Sequence, residues 1–275
     1  MAKVTRLLAL LGVLGCDPNV VDAVREPAPL PSATVDPPRP PPNPLESSLI
    51  HRYSFEGDGT EVRDLKYSAN GLVVGTTLPD TGQLPLAGAR SGQFVNLPNG
   101  IVSSLGDATF EFWLTWDGGD AWQRIFDFGN GTAGEDSQGK GGTSYLFLTT
   151  LSGPDSTRML PTATMRLAYS QNGVDDEEVC NAADPLPAGV ATHVAVVIDR
   201  AAKSVSVYQD GAVLVTCVLD RPLSAIDDVN NWLGHSNYAA DVDLAGSYDE
   251  FRIYAAALTA SQIADSFVAG PDAGR

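Results

Sequence analysis

Three carboxylates stand close together in the chain, Glu56, Asp58 and Glu61, separated by Gly57, Gly59 and Thr60. Paired carboxylates can move protons or attack an electrophile when a rigid element holds both on one face. Here the intervening glycines and threonine read as a turn, which gives no such face. The three histidines, His51, His193 and His235, are far apart and lack the close ligand spacing of a zinc site. His193 lies in the apolar run His193-Val-Ala-Val-Val-Ile198 and reads as a satisfied core residue. No Gly-x-Ser-x-Gly elbow and no phosphate loop occur. A net charge of −17 argues against nucleic acid, whose phosphates require a basic patch.

The elements that would position chemistry are strands. In Ala108-Thr-Phe-Glu-Phe-Trp-Leu-Thr-Trp116 every even position is apolar, the period of a half-buried strand. His193–Ile198 reads as a strand buried on both faces. Ser204–Gln209 and Ala212–Leu219 flank Asp210-Gly211, which suits a type I′ hairpin turn. Further strands are predicted at Leu49–Phe55, Phe94–Leu97, Arg124–Phe128, Tyr145–Thr149, Thr164–Tyr169 and Gly246–Tyr254. One short helix is predicted near the end, capped by Thr259 with Gln262 completing a capping box and Ile263 and Phe267 on its apolar side. Many short strands between Gly, Pro and Asp turns indicate an all-β, two-sheet antiparallel sandwich or jelly roll.

Ahead of the strands lies a different kind of sequence. Lys3 and Arg6 precede a short apolar run, Leu7 to Leu14, as in a secretory signal. Val13-Leu14-Gly15-Cys16 resembles the bacterial lipobox, which implies cleavage before Cys16, acylation of that cysteine and export on a lipid anchor. Asp17 resembles an inner-membrane retention signal of enteric bacteria, and the choice between periplasmic side, outer membrane and cell surface stays open. Nine of the eighteen residues from 27 to 44 are proline, which favours an extended polyproline II spacer. The organisation expected is a signal over 1–15, a disordered linker over 16–47, one domain over 48–268 and a flexible tail over 269–275. With Cys16 acylated, Cys180 and Cys217 are left as a pair. In an exported protein the first expectation is a disulfide, the alternative being two buried thiols.

Tyr53-Ser-Phe55-Glu-Gly-Asp58-Gly, Trp122-Gln-Arg-Ile-Phe-Asp-Phe-Gly129, Asn231-Trp-Leu-Gly234 and Gly246-Ser-Tyr-Asp249-Glu-Phe-Arg-Ile-Tyr254, then Ala257-Leu258, occur in that order. Together they resemble the laminin-G-like, concanavalin A-like lectin/glucanase superfamily over about residues 49 to 268. His235 stands where the family's Trp-Leu-Gly-Arg-Ser pattern has arginine. The resemblance implies a jelly roll with first and last strands side by side, but fold alone assigns no function. Glu56, Asp58 and Glu61 match the Glu-x-Asp-x-x-Glu spacing of the family's retaining β-glucanases. Those enzymes hold two glutamates about 5–5.5 Å apart on one strand face, with apolar residues between, whereas this segment has turn residues. A structural Ca²⁺ is implied at Asp249 with Glu56 or Asp58, completed by backbone carbonyls. Trp122, Tyr145 and Tyr238 are the candidate ligand-contact aromatics, while Trp113, Trp116 and Trp232 are assigned to the core. The implied role is a non-catalytic module recognising carbohydrate or a surface protein. Alternatives are a structural or adhesion protein without small ligand and, further off, a glucanase. A groove lined by aromatics would favour ligand binding; one closed by the Asn130–Gly142 loop would oppose it.

Overall fold

The computed structural model describes residues 44–154 and 159–273. The expected signal, Cys16 and the proline-rich stretch up to residue 43 lie outside the described residues. Two antiparallel sheets face one another. The first has seven strands, in the order Leu49–Tyr53, Asp243–Tyr254, Ala108–Trp116, Ala191–Asp199, Ser204–Gln209, Ala212–Val218, with Leu84–Ala89 also paired to Asp243–Tyr254. The second has eight, in the order Glu178–Asn181, Arg166–Ser170, Gly142–Thr149, Arg124–Gly131, Asn230–Leu233, Phe94–Leu97, Gly71–Val74, Glu61–Val62. The first and last strands pair, with Arg52 opposite Arg252 and Tyr53 opposite Phe251.

Period-2 alternation builds the layer between the sheets. Phe110, Phe112 and Leu114 from one sheet meet Phe126, Phe128, Leu146 and Leu148 from the other, all buried. Phe112 and Phe251 stack with ring centroids 5.7 Å apart, and Phe126 and Phe128 with centroids 4.6 Å apart. The hairpin turn has φ of 49° at Asp210 and 80° at Gly211, the two positive values a type I′ turn requires. The helix runs Ala260–Ala269, and Thr259 caps it reciprocally with Gln262. Among the described residues no helix is long and apolar enough to cross a membrane.

The outer face of the seven-stranded sheet is also covered. Ala195, Val197, Tyr208, Tyr254, Leu258 and Ile263 form a second buried cluster there, with Leu45 and Leu49 packed against it. Leu45 belongs to a helical turn, Pro44–Ser48, inside the stretch expected as linker, because its leucine finds apolar surface beside the first strand. The segment expected as a free tail is likewise held at its start, where the Pro271 carbonyl accepts from Arg52 and Arg252. Trp113 was assigned to the core, and it is buried, but on this outer face under the Arg252 guanidinium. His193 shares that face. One ring nitrogen meets Glu111 Oε1 at 2.9 Å, while Nδ1 is buried with no hydrogen-bond partner, so the residue is only half satisfied.

Asp64 ties the first strand to the loop after it. Its carboxylate accepts from the backbone N–H of Arg52, Lys66 and Ala69 and meets His51 Nδ1 at 2.8 Å. Burial alone would raise its pKa, but the His51 and backbone hydrogen bonds outweigh that and hold it below the ordinary carboxylate value. A depressed folded-state pKa stabilises above the unfolded value and loses that stability as pH falls through the folded one. Asp64→Asn is therefore expected to cost about 2 kcal/mol at pH 7. Thermal scans should show wild type and variant converging as the pH drops below about 4.

Candidate functional site

The outer face of the eight-stranded sheet divides in two. Over strands Phe94–Leu97 and Asn230–Leu233 it is closed by the Asn130–Gly142 loop. Asn230 accepts from the Asp136 backbone and donates to the Gly134 carbonyl, Asn96 donates to Asp136, and Gln138 donates to the Ser236 carbonyl. Beneath the loop Trp232 is buried against Phe94 and His235, on the outer face of its sheet and not in the core layer assigned to it. His235, at the family's arginine position, stacks on Phe94 at 4.2 Å, and its Nδ1 is hydrogen-bonded with Asp243 Oδ1 at 2.5 Å.

The other half carries all three ligand-contact candidates. A bulge sets it up: Leu148 lies opposite Phe126 but Thr149 opposite Arg124, so Ile125 is the extra residue. Arg124 then shares the outer face with Asp127 at 3.5 Å. The Arg124 guanidinium lies 3.8 Å from the Phe147 ring centroid, 5.5 Å from Trp122 and 5.8 Å from Tyr238. The Arg166 guanidinium also lies 5.3 Å from the Trp122 ring centroid. Tyr238 donates its hydroxyl proton to Tyr145, which donates to Glu177 at 2.6 Å.

Trp122 and Tyr238 are both partly buried, each keeping some surface open to solvent. Tyr145, expected as an exposed face, is instead fully buried beneath Tyr238. The cause is Gly142, where a Cβ would come within 2.3 Å of the Tyr145 ring and 3.1 Å of Tyr238, so only glycine lets the three close up. Trp122 has φ of 71°, an uncommon value for a bulky side chain. Backbone held in such a region costs about 1–3 kcal/mol and is concentrated at functional positions. Its indole lies against Gly153, where a Cβ would fall 2.4 Å from Nε1.

Asp127 fixes this arrangement from below. Fully buried, it accepts from both the backbone N–H and the side-chain amide of Asn237, next to Tyr238. Burial pushes its carboxyl above the ordinary range, against the pull of Arg124 and Asn237. Arg124, Asp127 and Asn237 were not among the sequence candidates. The available signal was two opposite charges in the apolar strand Arg124-Ile-Phe-Asp-Phe128, since buried charges are almost always paired.

The carboxylates of the first turn sit elsewhere. Gly57 and Gly59 have φ of 94° and 81°, the turn expected from their sequence. Glu56, Asp58 and Glu61 are exposed around a cleft of about 370 Å³, with Glu61 paired to Arg63. A larger cleft, about 660 Å³, lies over the outer face of the seven-stranded sheet between Leu49, Leu65, Tyr254 and Ala269. Asp249 sits at the bulge between Tyr248 and Glu250. Among the described residues no group of three or more His, Cys, Asp or Glu side chains is placed to hold a metal ion.

Two opposed antiparallel sheets with paired first and last strands define a jelly roll of the concanavalin A type. The family model described as the Concanavalin A-like lectin/glucanases superfamily matches residues 89–264, and the chain belongs to that family. No curated protein matches it in sequence. Among solved structures it is similar to domain 4 of the GH43 extracellular arabinanase AbnA from Geobacillus stearothermophilus, in complex with arabinotriose. The TM-score is 0.59 at 19% identity, covering 79% of this chain and 97% of that one. It is also similar to the IT-sialidase CBM40 of Ruminococcus gnavus bound to α2,3-sialyllactose, with TM-score 0.52 and 16% identity over 68% of this chain and 96% of that one. A Trypanosoma rangeli sialidase aligns with TM-score 0.60 and 16% identity over 83% of this chain but only 34% of its own length. At these identities the likeness establishes the fold.

Proposed function

We propose that the chain is an exported, lipid-anchored, non-catalytic module that binds carbohydrate at the half-face around Trp122 and Tyr238. The observation that carries this reading is the convergence of two partly buried aromatic rings on one buried cation, at a position where Trp122 holds a positive φ. Flat apolar rings beside fixed polar groups are what a sugar needs, for stacking and for hydrogen bonding. Arabinotriose and sialyllactose on the two similar modules support the same class of ligand.

Aromatic anchors at binding surfaces carry about 2 kcal/mol or more when truncated. Trp122→Ala should therefore weaken glycan binding more than tenfold, read on a glycan array and by calorimetry, while its melting temperature stays within a few degrees of wild type. Anchoring rests on the lipobox-like sequence. Cys16→Ala should move the protein from the membrane fraction to the soluble one; retention in the membrane would remove Cys16 acylation from the account.

The closure of the other half-face by the 132–141 loop favours a second reading, a structural or adhesion protein with no small ligand. An array on which wild type and Trp122→Ala are both at background supports that reading over the first.

A further inference from the structure

We infer that the Trp122 half-face selects neutral oligosaccharides over acidic ones, an inference that rests on the binding role proposed above. Among the described residues, Arg124 and Arg166 are the cations placed against these rings, and both are engaged. Arg124 is 3% exposed; Nη2 meets Asp241 at 2.8 Å, Nη1 donates to the Trp122 carbonyl at 3.1 Å, and Phe147 covers its flat side. Arg166 is fully buried, with Nε donating to Asn181 Oδ1 at 2.7 Å and Nη2 to the Pro161 carbonyl at 2.6 Å. Both guanidiniums are buried, so a sugar carboxylate would have to open the packing over them to reach either.

The groups around the rings are acidic. Asp241 is on the Arg124 side, Glu177 accepts from Tyr145, and Asp176 and Glu178 stand on the neighbouring edge, where Arg221 pairs with both. Buried Asp127 lies beneath. The chain as a whole carries −17, so the longer-range field also repels an anion. Within a Debye length of about 8 Å at physiological salt these charges are felt by a bound sugar. Stacking on Trp122 and Tyr238 does not depend on ligand charge. The attraction is shared by neutral and acidic sugars, and the repulsion falls on the acidic ones alone.

The test compares matched ligands on the full chain: a panel of neutral oligosaccharides and their acidic counterparts, lactose against α2,3-sialyllactose among them. Wild type, Trp122→Ala and Asp241→Asn are measured by calorimetry at low and moderate salt. The expected result is Trp122-dependent binding of neutral members, with acidic counterparts about tenfold weaker or worse, the gap narrowing as salt rises. Asp241→Asn removes the negative charge paired with Arg124 and should narrow the gap further by strengthening acidic ligands selectively. Trp122-dependent binding in which acidic members equal or exceed their neutral counterparts overturns the selectivity and leaves the binding role standing. Absence of Trp122-dependent binding to every member overturns the binding role, and the selectivity with it.

Discussion

Replacing Cys180 and Cys217 together with alanine is expected to lower the stability of the domain by about 4 kcal/mol, the chain-entropy value for a closed loop of this length. The two cysteines are 37 residues apart in sequence and are joined. Cys180 lies on Glu178–Asn181, the outermost strand of the eight-stranded sheet, and Cys217 on Ala212–Val218, the outermost strand of the seven-stranded one. The bond therefore ties together the free edges of the two layers, where no ladder hydrogen bond can connect them. Arg221 reinforces the same edge through Asp176 and Glu178, but those pairs are partly exposed and contribute little. In a domain of this size the loss should appear as a fall in melting temperature of roughly 10 °C. Wild-type protein melted with and without a thiol reductant should show a similar gap. A double variant whose denaturant midpoint matches wild type would show that the linkage constrains nothing the sheets do not already fix.

That pairing was legible from cysteine arithmetic, because it needed only an even remainder and an oxidising compartment. Its geometry was not, since two edge strands on opposite layers leave no mark in a linear pattern. The same division runs through the fold. Ala108–Trp116, Phe94–Leu97, Ser204–Gln209 and the Thr259 cap were readable because alternation, a turn dipeptide and a capping box are local. Gly71–Val74, Leu84–Ala89, Glu178–Asn181 and Asn230–Leu233 were not read as strands. They are short, and one carries Pro85 and Gly88; only pairing with distant partners makes them strands.

For the candidate site, Trp122, Tyr145 and Tyr238 were chosen by residue type and do converge. The exposure of Tyr145 was misjudged. In Gly142–Thr149 both faces are apolar, Leu146 and Leu148 on one side and Tyr145 and Phe147 on the other, and what covers the second is a loop nearly a hundred residues on. A strand apolar on both faces announces that something lies over it without saying what.

The largest electrostatic effect is expected from Arg252→Met, which should cost about 3–5 kcal/mol, the usual range when one partner of a buried charge network is removed. Arg252 donates to Glu250 at 2.9 Å, to the Pro271 carbonyl at 2.7 Å and to Ser266 on the helix at 3.3 Å, and pairs with Glu111 at 3.5 Å. Its guanidinium lies 4.6 Å from the Trp113 ring centroid. Glu250 and Glu111 are both fully buried. Burial raises the Glu250 carboxyl despite Arg52 and Arg252. Burial works against Glu111 as well, but His193 and Arg252 overcome it and hold that carboxyl below its ordinary value. Without Arg252 the Glu250 carboxyl should rise further and that of Glu111 should lose part of its depression, so the variant's deficit should be greatest near pH 7 and shrink as the pH falls toward their protonation. A double-mutant cycle with Glu250→Gln separates this coupling from lost packing, because Met preserves most of the side-chain volume. A deficit that is flat with pH and additive in the cycle would assign the cost to packing alone. The expected coupling accounts for the segment that carried most of the family resemblance. In Asp249-Glu-Phe-Arg-Ile-Tyr254, Phe251 and Ile253 enter the core between the sheets, while Glu250, Arg252 and Tyr254 build the outer-face network under the helix. The motif is conspicuous in sequence because alternate positions serve two buried layers with opposite chemistry, and it clamps the last strand and the C-terminal helix together on the face opposite the candidate binding site.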